Sequence, residues 1–184
     1  MKDKLTTLIA GPTDRTKVFR FSGLNEEQYE THLIDLAETL IKNVSTANII
    51  PDQGVPFDVS QKFRERGGVV IGYVPKGGYE GLKNNFQYCD EIKEFGGGWS
   101  ALNTCLSLRG DLITTVGMSP GTMVEVAYTK YHGRYMNKRI PVLIDEVLVP
   151  WKIPDFISEE IDIRYFGSVN QLNSILEDIR EERK

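Results

Sequence analysis

Residues 111–131 read DLITTVGMSPGTMVEVAYTKY, and the fold turns on how this stretch divides. Asp111–Val116 is a short, β-branched apolar run of the kind that forms a central strand. Gly117-Met118-Ser119-Pro120-Gly121-Thr122 follows as a glycine-containing turn, and the spacing predicts a helix from about Met123 to His132. Strand, tight turn and helix together make the repeating unit of a parallel α/β sheet. In such sheets ligands bind at the carboxyl ends of the strands. There the first helical amides point outward without partners and carry partial positive charge. The segment Gly117–Glu125 is therefore expected to bind the phosphate or sugar end of a nucleotide-like ligand. Gly117 and Gly121 allow a close backbone approach, and Ser119 and Thr122 add hydroxyls. Glu125 reads two ways. In the first turn of an exposed helix it adds ~0.3–1 kcal/mol to the helix end; otherwise its carboxylate is aimed at the ligand.

The same rhythm extends in both directions. Leu5–Ala10 is an apolar run that stops at Gly11-Pro12, and Lys17–Phe21 reads as a second extended piece. Asn25 opens a helix whose Tyr29, Leu33, Leu36, Ala37, Leu40 and Val44 keep helical spacing. Ala47–Ile50 is a short strand. A helix near Phe57–Arg66 ends at Gly67-Gly68, and Val69–Val74 is a nearly continuous apolar strand closed by Pro75. Lys76–Gly98 is the least regular part, with a short strand near Glu91–Phe95. Trp99–Leu108 reads as helix, Ile140–Ile144 and Arg164–Phe166 as strands, and the closing helix starts at Ser168. The expected fold is α/β, a Rossmann-like three-layer sandwich around a mostly parallel sheet, with residues 1–184 as one nucleotide-binding domain.

Composition narrows the function classes. The 184 residues carry a net charge of −4, and no Lys/Arg run supplies the basic stripe that nucleic acid needs, so none is expected as a partner. No apolar run reaches the ~20 residues of a membrane span, so no membrane partner is expected either. Two cysteines, Cys89 and Cys105, make no disulfide framework, and Cys105 reads as a packing residue. With no leader pattern at the N-terminus, the expected location is the cytoplasm. His32 and His132 fall on different predicted helices, so neither a metal site nor a Ser-His-Asp triad is expected.

Two motifs carry a resemblance. GVPFDVSQKFRERGGVVIGYVP, Gly54–Pro75, resembles the LOG-type phosphoribohydrolases, once labelled lysine decarboxylases, with Gly54, Gly67, Gly68, Ile71, Gly72 and Pro75 in register. Downstream, Asn103, Asp111 and GMSPGTMVE fall where that family has E-R-N/K, an aspartate and P-G-G-x-G-T-x-x-E; Gly121, Thr122 and Glu125 match directly. Leu102 stands at the family's arginine, and Pro51-Asp52-Gln53 replaces its upstream glycine run. The resemblance spans about Leu5–Ile144. It implies a Rossmann-like nucleotide-binding protein in which Glu125 acts on the N-glycosidic bond of a nucleoside 5′-monophosphate. No added cofactor is implied, and a homodimer is.

A weaker resemblance links LIAGPTDR at Leu8–Arg15 and GTMVEVAY at Gly121–Tyr128 to nucleoside 2-deoxyribosyltransferases, which also use this glutamate. Together these give the candidate site. Glu125 is the catalytic candidate. Gly11, Pro12, Thr13, Gly54, Asn103, Gly117, Met118, Ser119, Pro120, Gly121 and Thr122 bind ligand or phosphate. Asp52 or Asp111 orients ribose or water, with a structural strand-end role the stronger reading for Asp111. The alternative to catalysis is a nucleotide sensor or a carrier of a phosphate-bearing cofactor such as the molybdenum cofactor.

Overall fold

Seven short segments, most of them apolar and β-branched, become the strands of one sheet. The computed structural model describes residues 4–77, 79–136 and 139–183. The strands are β1 (Leu5–Ala10), β2 (Val44–Ile49), β3 (Val69–Pro75), β4 (Glu91–Phe95), β5 (Leu112–Thr115), β6 (Val142–Asp145) and β7 (Ile163–Phe166). Their order is β4-β3-β2-β1-β5-β6-β7, and every pairing is parallel. Parallel neighbours need crossovers, which the helices supply. These are α1 (Arg15–Ser22), α2 (Glu26–Asn43), α3 (Val55–Glu65), α4 (Gly98–Leu106), α5 (Pro120–Met136), α6 (Asp155–Ser158) and α7 (Val169–Glu182).

Alternation along the strands divides the core in two. On β1, Leu5 and Ile9 face one side with Leu33, Leu36 and Leu40 of α2, Phe63 of α3 and Leu172 and Leu176 of α7. Leu8 and Ala10 face the other, with Leu102 and Leu106 of α4 and Val126 of α5. The result is a three-layer α/β sandwich of Rossmann-like type. Burying each of these large side chains contributes ~1.5–3 kcal/mol, so the two apolar faces hold the layers together.

The sequence reading is corrected at four places. Lys17–Phe21 is helix, not strand. The Asp14 side chain accepts from Thr16 N–H at 3.0 Å and from the Thr16 hydroxyl, and this cap sets a helical turn where Val18-Phe19-Arg20-Phe21 looked extended. Lys76–Gly98 is more regular than expected, with a 3-10 helix at Glu80–Tyr88 before β4. Val44 starts β2 instead of closing α2, so helix passes directly into strand. Finally, α5 begins at Pro120, three residues earlier than expected. Proline fits the first helical position because its missing N–H needs no partner there.

Candidate functional site

The strand order reverses direction between β1 and β5: β2, β3 and β4 run outward on one side, β5, β6 and β7 on the other. The turns leaving β1 and β5 therefore depart to opposite faces, and a crevice opens between them, the usual ligand position in open parallel sheets. A cleft of about 280 Å³ lies here. One wall is Gly11–Asp14 with Lys17 of α1, and the floor includes Ile9, Ala10 and Ile50. The β2–α3 connection brings Asp52, Gln53 and Pro56, α4 brings Trp99 and Asn103, and α5 brings Ser119, Gly121, Thr122 and Glu125. Its size suits a mononucleotide better than a dinucleotide, being near the lower limit of ligand pockets.

The start of α5 is arranged around Ser119. Its Oγ accepts from Thr122 N–H at 3.2 Å and lies 2.9 Å from the Thr122 hydroxyl, while its carbonyl accepts from Met123 N–H at 2.9 Å. Gly121 lines the cleft, and its amide N–H has no protein partner among the described residues. A free amide at the positive end of a 17-residue helix is an anion donor. The Ser119 and Thr122 hydroxyls, expected to be donors to the ligand, are engaged with each other.

Because α5 starts at Pro120, Glu125 sits in its second turn, not its first. The helix-end role therefore falls away. Glu125 is only 6% exposed. No hydrogen bond or ion pair reaches its carboxyl group among the described residues, and burial alone pushes its pKa up to about 8. At neutral pH it holds a proton against the cleft.

The other expected residues divide into those on the cleft and those that shape it. Gly11, Pro12, Thr13, Asp52, Asn103, Ser119, Gly121 and Thr122 line it with Glu125. Gly54 does not. It has a φ of 103°, and a Cβ there would lie 2.5 Å from Pro12 O and Thr13 Cα. With Val55 N–H donating to Pro12 O at 3.2 Å, Gly54 seats the β1–α1 turn. Gly117 closes on Pro12 from the other side, where an added Cβ would meet its ring at 2.7 Å. Met118 packs on the core under α4 and α5.

Asp111 lies at the opposite end of the sheet. It accepts from Thr6 N–H at 2.8 Å and pairs with Arg183 at 2.6 Å, contacts that tie the start of β5 to β1 and to the end of α7. Leu102, at the position of the family arginine, is 1% exposed in the core. Helical geometry turns Asn103 to the cleft and Leu102 to the sheet.

Three features escaped the sequence reading. Lys17 is a cation on the cleft wall, hidden while its segment read as strand. Trp99 is 42% exposed at the rim; an aromatic just after three glycines was the available signal. Asp145, fully buried, accepts from His32 at 2.7 Å and from Val147 N–H at 3.0 Å, and is not among the residues lining the cleft. Both cysteines are free thiols, and burial raises the pKa of Cys89 to about 11, the reverse of nucleophile activation. Among the described residues no cluster of three or more His, Cys, Asp or Glu could hold a metal, and no helix is long and apolar enough to cross a membrane.

Comparison with known proteins agrees with this fold. Residues 28–149 match the SLOG cluster4 family. No curated protein matches the chain. Among solved structures, the molybdenum cofactor carrier protein of Chlamydomonas reinhardtii superposes with a TM-score of 0.66 at 18% identity, covering 96% of this chain and 98% of that one. The molybdenum cofactor binding protein of the phototrophic bacterium Rippkaea orientalis gives 0.66 at 18%, covering 97% and 99%. DNA processing protein A of Helicobacter pylori, described with a single-stranded DNA binding mode, gives 0.61 at 15%, covering 95% and 81%. At these identities the likeness is one of fold.

Proposed function

The chain belongs to the SLOG cluster4 family, and from that premise we propose that it binds a nucleotide-like ligand between β1 and β5 and acts on the N-glycosidic bond of a nucleoside 5′-monophosphate or related nucleoside. The observation that carries this reading is Glu125, a buried, unpartnered, proton-holding carboxyl group on the cleft wall. Burying such a group is costly unless it serves something. The phosphate meets the Gly121 amide and Lys17. As the glycosidic bond lengthens, Glu125 gives its proton to the departing base nitrogen. The carboxylate left behind faces a sugar with oxocarbenium character and stabilises its charge; water then bonds to the anomeric carbon, and the proton it loses restores Glu125. A net charge of −4 and the acidic Asp14 and Asp52 on the cleft favour a small ligand over a nucleic-acid strand. A homodimer would have an exposed stripe of Val124, Tyr128 and Tyr131 on α5 to pair through.

A second reading, that of a sensor or cofactor carrier, is favoured by Leu102. With a leucine packed into the core there, α4 offers Glu125 no cation to assist catalysis. Two of the structural neighbours are named for carrying or binding the molybdenum cofactor.

One experiment separates the two. The purified protein is incubated with a panel of nucleoside 5′-monophosphates and deoxynucleosides, and thermal shift and free base are read together. Catalysis predicts stabilisation with base release that is lost in Glu125→Gln, while stabilisation persists. Stabilisation with no base released from any member sinks the enzymatic reading and leaves the carrier.

A further inference from the structure

The walls of the cleft are chemically unequal. The α1 and α5 sides carry the groups suited to an anion, Lys17 and the Gly121 amide. The α4 side carries an indole. Trp99 is the second residue of α4 and lines the cleft while 42% exposed. Among the described residues its ring stacks on no other aromatic side chain, although six such ring pairs occur elsewhere. The half-buried Asn103, one helical turn along, lines the same wall with its amide free of hydrogen bonds among the described residues.

The backbone is built to deliver this ring. Gly97 precedes α4 with a φ of 97°, in the left-handed region, and a Cβ there would come 2.7 Å from that of Ala101. Only glycine makes this turn, and the turn sets the next residues over the cleft mouth. The exposed part of the indole leaves apolar area in water at the cleft.

We infer that Trp99 is a stacking platform for a planar heteroaromatic ring of the ligand, an assignment that rests on the nucleotide reading of the same cleft. An indole face accepts any purine- or pyrimidine-like π system and contributes through contact area, with the amide of Asn103 placed to meet a ring edge. The phosphate and ring ends of the ligand are then held by different helices. Losing one contact should leave the other intact.

The test uses two probes that differ only in the ring, adenosine 5′-monophosphate and ribose 5-phosphate. Calorimetric titration is run on the Glu125→Gln protein, in which the nucleotide stays whole. Adding Trp99→Ala should weaken the nucleotide roughly tenfold or more, in the range of base–aromatic stacking, and leave ribose 5-phosphate unchanged. Trp99→Phe should recover most of the loss. As a spectroscopic check, Trp151→Phe leaves Trp99 as the one remaining indole, and its emission should respond to the nucleotide and not to the sugar phosphate. Unchanged nucleotide affinity in Trp99→Ala, or equal losses for both probes, overturns the stacking assignment and leaves the anion site standing. A parent protein that binds neither probe overturns both readings.

Discussion

Glu125 keeps its proton because water has been removed from around it and no cation has been put in its place. This has a consequence for stability that is independent of any ligand. The unfolded chain ionises the group near 4.5 and the folded chain near 8. Between those values the folded state binds the extra proton, so its contribution is fully present below about 4.5 and is lost as pH rises through about 8. Glu125→Gln removes this dependence. The variant should match the parent near pH 4.5 and become more stable than it toward pH 9, by a few kcal/mol at ~1.4 kcal/mol for each unit of displacement. Denaturant midpoints of both proteins from pH 4.5 to 9 would check it, and parallel curves would rule out a buried neutral carboxyl group. Spacing alone placed this glutamate one turn from a glycine turn. What placed it in a desolvated wall was the start of α5 at Pro120, three residues earlier than periodicity suggested.

At the scale of elements, the site is a meeting of turns. The β1–α1 turn is held between Gly54 and Gly117, which approach Pro12 from two sides. Replacing Gly54 with alanine would put a Cβ 2.5 Å from backbone atoms of Pro12 and Thr13 at a φ of 103°. Strain of that kind costs ~1–3 kcal/mol before any clash is relieved, and relief means moving the cleft wall formed by the β1–α1 turn. Gly54→Ala should therefore lower stability by at least that amount in urea unfolding and weaken nucleotide binding as well. A variant with unchanged midpoint would show that the turns are not so tightly seated. The matching glycine was visible in the motif, but its function was read as ligand contact. A motif records that glycine is needed and not which neighbour requires it. The same limit applies to α1, where local alternation pointed to a strand and the Asp14 cap decided for a helix.

Across the whole molecule, His32 and Asp145 tie α2 to the end of β6 over a separation of 113 residues. Burial works against the charged imidazole, but the hydrogen bond and charge of Asp145 outweigh it, so the pKa of His32 is raised. Its stabilisation is thus fully present below about 6.5, the unfolded value, and is lost as pH rises through the higher folded value. His32→Gln should cost more stability at pH 6 than at pH 9, as measured by unfolding midpoints; equal costs at both would mean that the charge does not contribute. Nothing in the sequence pairs these two residues, because such a contact exists only once the sheet order is set.

The sequence by itself determined the layers. Apolar runs of β-branched residues, amphipathic stripes and glycine turns are local patterns, and outside α1 they mark the main strands and helices and the face each buries. It also determined that Gly121, Thr122 and Glu125 stand together at a turn, since residues four apart on one helix cannot separate. Only the tertiary structure decided what surrounds them. The reversal of strand order between β1 and β5 opened the cleft, and the packing of α4 sent Leu102 inward and Trp99 and Asn103 to the cleft side. Burial then turned an ordinary glutamate into a proton-holding one. Those outcomes depend on neighbours that are distant in the chain, and solvation is a property of the assembled neighbours, not of the residue that feels it.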